Sequence, residues 1–170
     1  MSAVDELLAR HRAFLTGGTH QGLTTARPRL GTVVVTCMDA RIDITAALGL
    51  RPGDVHVLRN AGGLVTDDVL RSLVVSQRLL GTMEIMVVMH TDCGMKNLGD
   101  AELARRIGAE TQVEVPFAFG GFTDLDAELR ASVERLRGCP WLPHRHAVRG
   151  FVYDVDTGRL HERADLDLTH

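Results

Sequence analysis

The stretch Gly31-Thr32-Val33-Val34-Val35-Thr36-Cys37-Met38-Asp39-Ala40-Arg41 decides the fold. Its β-branched apolar run reads as a strand buried on both faces, the kind found inside a parallel sheet. It ends in a thiol, a carboxylate and a guanidinium at alternate positions. Alternate residues of an extended chain point the same way, so all three can share one side. In open α/β sheets the carboxyl ends of strands are where ligand sites are built. A buried cysteine followed by a loop ion pair is the plainer reading, and this stretch alone leaves both open.

The flanking chain repeats the pattern. Ile42–Leu50 reads as a short helix, and Asp54–Asn60 as a second strand. That strand runs into Ala61-Gly62-Gly63, where paired glycines fit a tight turn or a close approach of backbone to something else. Thr66 or Asp67 caps a helix to Leu80, with Val69, Leu70, Leu73, Val74 and Gln77 at helical spacing and Gly81 as its C-cap. Met83–Met89 is a third buried strand, and it too ends in reactive residues, His90-Thr91-Asp92-Cys93-Gly94. Helices are expected over Asp100–Glu110 and, capped by Thr123 or Asp124, over Leu125–Leu136. The irregular apolar loop Thr111–Phe122 between them is expected to pack on the core or on a partner subunit. His146–Asp154 reads as a fourth strand and Arg159–Arg163 as an antiparallel edge strand. At the start, Ser2 caps an amphipathic helix, Ala3–Phe14, with Glu6 near the capping-box position and Val4, Leu7, Leu8 and Leu15 along one face.

This alternation predicts a single α/β domain over residues 1–170: a mostly parallel four-stranded sheet in the order 2-1-3-4, an antiparallel edge strand, and helices on both faces. An N-terminal helical arm covers about residues 2–15. The strand order makes strands one and three neighbours, so Cys37 and Asp39 should meet His90 and Cys93 at a switch point.

Composition narrows the function. The 170 residues carry 22 acidic against 19 basic side chains, a formal net charge of −3. Lys96 is the only lysine, and the arginines are interleaved with acids, so no basic stripe suggests nucleic acid. The apolar run Ile85–Met89 is too short to span a bilayer. No basic n-region followed by an apolar h-region opens the chain, which predicts a cytoplasmic protein. Three cysteines in such a chain argue for metal or catalysis rather than a disulfide framework.

Two thiolates and an imidazole make a three-donor zinc set that leaves a fourth tetrahedral position open. Cys139, lacking a paired spacing, is expected to be a buried, inert thiol rather than a fourth ligand. Arg41 follows Cys37 too soon for a phosphatase-type loop. A Cys37–Cys93 disulfide switch would leave His90, Asp39 and Arg41 without a task.

Cys37-x-Asp39-x-Arg41, Ala61-Gly62-Gly63 and His90-Thr91-Asp92-Cys93-Gly94, in that order and spacing, resemble the β-class carbonic anhydrase family. The likeness runs from about Gly31 to Gly94, and the chain length and the run His90 to Met95 are similar to its short-chain bacterial type. The resemblance implies one Zn2+ per chain on Cys37, His90 and Cys93, with Asp39 and Arg41 as the catalytic dyad. Gly62 and Gly63 are then candidates for the backbone of the substrate pocket. The implied reaction is reversible hydration of CO2 to bicarbonate and a proton by zinc-bound hydroxide. Asp39 would orient the hydroxide, and Arg41 would hold Asp39 ionised and off the metal. A homodimer or tetramer is implied as well, with the arm packed on a neighbouring subunit. Some relatives hydrolyse carbon disulfide or carbonyl sulfide, which stays open as an alternative. So does a non-catalytic zinc- or redox-responsive module, although it would need neither Asp39 nor Arg41. His20, His56, His144 and His146 are candidate proton acceptors, each expected to be a surface or packing histidine.

Overall fold

β1 (Thr32–Cys37) is buried from Val33 onward, because it lies inside a sheet and has neighbours on both sides. The computed structural model describes residues 2–18, 22–23 and 25–163. In it β1 pairs in parallel with β2 (His56–Asn60) and with β3 (Glu84–His90). β4 (Val148–Tyr153) extends the sheet in parallel from β3, and β5 (Leu160–Glu162) closes that side antiparallel. The order is β2-β1-β3-β4-β5, so the expected four-strand order and edge strand are both present.

Two long helices make the core. In α3 (Asp67–Leu80) the Thr66 hydroxyl accepts the Val69 N–H at the start, and Gly81 ends the helix in the left-handed conformation at φ 73°. In α5 (Leu125–Arg137) the Asp124 carboxylate accepts the Ala127 N–H. Both follow crossovers running in the same direction across the sheet, so the right-handed rule sets them on one face. There Leu73, Leu129 and Leu136 are fully buried, as are Val33 and Val87 of the sheet. The opposite crossover, β1 to β2, carries only α2 (Ile44–Ala47) to the other face.

The remaining helices lie at the periphery. Neither α1 (Ala3–Thr16) nor α4 (Asp100–Thr111) has a buried residue. On α1, Val4, Leu7, Leu8, Phe14 and Leu15 are between 45 and 63 % exposed, so among the described residues its apolar stripe stays largely exposed. After α4 the Asp100 carboxylate takes the N–H groups of Gly120 (2.9 Å) and Gly121 (2.8 Å) and pins the loop. Phe122 is buried as expected, whereas Phe117 stands 64 % exposed, edge-on to Phe119. No helix among the described residues is long and apolar enough to cross a membrane.

Several boundaries differ from the sequence reading, each for a local reason. The expected helix over Ile42–Leu50 shrinks to α2, because Asp43 caps instead of continuing: its carboxylate accepts the Ala46 N–H at 3.0 Å. The capping box of α1 is closed by Asp5 and not Glu6, since Asp5 is three residues past Ser2 and each bonds the other's backbone. α1 also runs on past Phe14 to Thr16. β3 starts one residue late and includes His90, whose register partner on β4 is Tyr153. β2 starts two residues late, and β4 and β5 are shorter than expected at both ends.

Candidate metal centre

Strand pairing assembles the centre. β1 delivers Cys37 at its last residue, β3 delivers His90 at its last residue, and the turn after β3 returns Cys93. One donor atom from each of Cys37, His90 and Cys93 lies within 4.8 Å of the others, and all three residues are buried. Donors on a tetrahedral ion at ~2.3 Å stand roughly 3.8 Å apart, so this cluster has the size of a zinc site. Cys139 is buried elsewhere in the apolar core, and none of the three cysteines is in a disulfide.

Three features test whether a cation fits. His90 Nδ1 contacts the Thr91 carbonyl at 2.8 Å, which makes Nδ1 the protonated nitrogen and leaves Nε2 as a lone-pair donor. Nε2 is fully buried and has no hydrogen-bond partner. A buried imidazole nitrogen without a partner is costly unless something else occupies its lone pair. The thiols respond unequally. Burial pushes the Cys37 thiol up, but its hydrogen-bonding surroundings, the N–H groups of Asp39 and Gly62 among them, outweigh it and bring the thiol down to about 7. Burial pushes Cys93 up, the Met95 N–H opposes this, and neighbouring Cys37 raises it further. Two thiols this close resist ionising together until a cation sits between them. A dication is the natural complement of this donor set.

The charged residues beside the donors form one network. Asp39 and Arg41 were expected to align along an extended chain. Instead β1 ends at Cys37, and a turn closed by Ile42 N–H to the Asp39 carbonyl (3.1 Å) brings them together. Arg41 Nε and Nη2 donate to the two Asp39 carboxylate oxygens at 3.0 and 2.8 Å, and the Arg41 backbone N–H adds a third bond at 2.9 Å. The guanidinium, then the N–H, hold the Asp39 carboxyl well below the usual carboxylate range. Asp39 in turn, with Asp92, raises Arg41 above its ordinary value. Asp39 Oδ2 stops 3.9 Å from His90 Nε2.

Two further residues shape the site without having been singled out from the sequence. Arg59 Nε and Nη2 donate to the Cys37 and Asp39 carbonyls, both at 2.8 Å, and hold the turn against β2. Asn60 bridges the Ala61–Gly63 turn, donating to the Leu64 carbonyl and accepting the Leu64 N–H. Their residue types carried no signal, and the one available was positional, since Arg59-Asn60 ends a strand just as Cys37 and His90 do. The turn it secures must pack tightly. A Cβ on Gly63 (φ 67°) would stand 2.9 Å from the Cys37 nitrogen and 3.2 Å from the Val88 carbonyl oxygen. Gly62, at φ 83°, brings its N–H to the Cys37 sulfur. The paired glycines therefore serve both open readings, a tight turn and a close backbone approach. Among the histidines, His56 is a packing residue, with its ring between the Ser76 hydroxyl (2.8 Å) and the Ala26 carbonyl (2.9 Å). His144 and His146 are exposed, and His20 lies outside the described residues.

Fold and donor set define an α/β protein with a cluster of three potential metal ligands at the ends of neighbouring parallel strands. The family model described as carbonic anhydrase matches residues 32–113. Beta-carbonic anhydrase 1 of Mycobacterium tuberculosis is 41% identical over 162 residues, 95% of this chain and 98% of that protein. The crystal structure of the carbonic anhydrase from Streptococcus mutans superposes with a TM-score of 0.88 at 40% identity, covering 95% of this chain and 98% of that one. A carbon disulfide hydrolase of Acidianus sp. is 38% identical over 151 residues, 75% of this chain and 74% of that protein. The chain belongs to the β-carbonic anhydrase family, zinc lyases that hydrate carbon dioxide.

Proposed function

We propose that this chain hydrates CO2 reversibly to bicarbonate and a proton, with one zinc held by Cys37, His90 and Cys93. The observation that carries the reading is the unpartnered Nε2 of His90 facing two thiols, with an Arg-pinned carboxylate 3.9 Å away. When bound, zinc supplies a Lewis acid that lowers the pKa of a coordinated water. The protein's own groups do the rest. Two anionic donors neutralise a dication, so orientation of the nucleophile matters more here than with three neutral ligands. Asp39, kept ionised by Arg41, can accept a hydrogen bond from the O–H of the attacking nucleophile and aim its free lone pair at the CO2 carbon. Arg41 positions Asp39, and the Gly62 N–H stabilises the Cys37 thiolate.

Carbon disulfide hydrolysis is the second reading, because hydrolases of that substrate are relatives. The sequence match to the Acidianus enzyme covers less of this chain, at lower identity, than the sequence match to carbonic anhydrase, which favours CO2. We place the protein in the cytoplasm as a single domain that assembles with copies of itself through the exposed α1 stripe. Stopped-flow CO2 hydration by the zinc-loaded chain, with carbon disulfide run in parallel, decides among the readings. Hydration that scales with zinc content is expected. Full zinc with neither activity would leave the non-catalytic module, and turnover of carbon disulfide alone would move the protein to the hydrolase branch.

A further inference from the structure

Asp92 stands in sequence between the donors His90 and Cys93, yet its contacts are with Arg41. Its side chain is 80 % exposed, and Oδ2 accepts from Arg41 Nη1 at 2.7 Å. Its backbone carbonyl accepts from Nη2 of the same guanidinium at 2.8 Å. Its φ of 51° lies in the left-handed region, which Asp tolerates better than most residues with a side chain. Arg41 is therefore gripped along two edges, by Asp39 through Nε and Nη2 and by Asp92 through Nη1 and Nη2.

An exposed ion pair on its own does little. This one is not isolated. The same guanidinium pins Asp39, whose carboxylate needs only a short displacement from its place 3.9 Å from His90 Nε2 to reach a metal held there. An arginine bonded to Asp39 alone could travel with it as a unit. An arginine also fastened to the loop that carries two of the three donors cannot.

We propose that Asp92 is a positioning residue: by holding the far edge of the Arg41 guanidinium, it keeps the Asp39 carboxylate beside the metal position and off it. The proposal rests on the zinc reading above, and it assigns a task to the third residue of the His-Thr-Asp-Cys run that ligation leaves unexplained. Removing the Asp92 carboxylate releases the Nη1 edge and leaves Arg41 only the Asp92 carbonyl, a single bond about which it can swing with Asp39, and Asp39 then competes for the fourth position.

The test uses the chain loaded with cobalt(II), whose visible spectrum reports coordination, titrated with azide at neutral pH. Metal content is measured alongside. Asp92→Gly suits the left-handed backbone and removes only the side chain. It should keep the metal content of the parent but bind azide about tenfold more weakly, as expected if Asp39 fills the open position in about nine molecules of ten. Asp92→Asn, which keeps an acceptor without the charge, should fall between. In an Asp39→Asn background the same Asp92→Gly change should have no effect, because the competing carboxylate is gone. Parent-like azide binding by Asp92→Gly would overturn the proposal. So would loss of metal from that variant, or a loss of azide affinity equally large in the Asp39→Asn background. If the parent itself took up no cobalt, the zinc reading would fall and this proposal with it. A parent that loads normally, beside a silent Asp92→Gly, would sink this proposal alone.

Discussion

Arg41 uses all three of its guanidinium nitrogens, and removing it separates metal binding from chemistry. Arg41→Ala leaves the three donors in place, so it should retain zinc while kcat/KM for CO2 falls about 10- to 100-fold, the usual cost of losing a group that orients a metal site. Metal analysis beside stopped flow checks this, and an unchanged rate would reduce the Asp39–Arg41 pair to a structural contact. Cys139→Ser should keep zinc and Cys93→Ser should lose it. The donors were legible in the sequence because thiols and imidazoles at strand ends are rare and specific. Arg59 and Asp92 were not, because arginines and aspartates are common and their partners are mostly backbone carbonyls or residues distant in sequence. Strand order brings Cys37 to His90. No pattern of residue types says that Arg59 will reach the Cys37 carbonyl.

The turn Ala61–Gly63 shows how an element without a side-chain function can govern the site. Gly63→Ala should destabilise the protein by about 1–3 kcal/mol for the left-handed backbone alone. The added Cβ also meets Thr36, Cys37 and Val88 backbone atoms rather than yielding side chains, so the real cost should be higher. Thermal melting of Gly63→Ala against wild type measures it, and an unchanged Tm would mean that β1 and β3 part easily at this point. Strands and long helices were legible because burial imposes period and caps mark ends: α3 runs from its Thr66 cap to left-handed Gly81, as read. Short elements were less so. Asp43 looked like a helical residue and is a cap, because its carboxylate competes for a backbone N–H that a longer helix would have bonded internally.

At the scale of the whole molecule, the described residues leave the amphipathic helix α1 with no buried residue. An apolar stripe from Val4 to Leu15 is more than a small monomer usually exposes. Replacing Leu7 and Leu8 together by Glu should therefore lower the mass found by light scattering at micromolar concentration from an oligomer to a single chain. A wild type that is already a fully active monomer would contradict the assembly proposed above. The sequence pattern could show the stripe but not its partner, since a helix folded back on its own subunit has the same spacing of leucines.

Thr91 ties the centre to a distant part of the protein. Its carbonyl receives His90 Nδ1–H, its N–H bonds the Tyr153 carbonyl at 3.0 Å, and its hydroxyl accepts the Val155 N–H at 3.1 Å. The turn between β4 and β5 thus hangs from the residue that orients a metal donor. Anything that stiffens His90 should slow the opening motions that let the Val155 amide trade its proton with solvent. Deuterium uptake at Val155 should accordingly drop when zinc is added, while the amides of α1 keep their rate. Thr91→Val, which keeps the backbone bonds and removes only the hydroxyl, should erase most of that protection. The hairpin edge, with no part in the reaction, then becomes a readout of whether the centre is loaded.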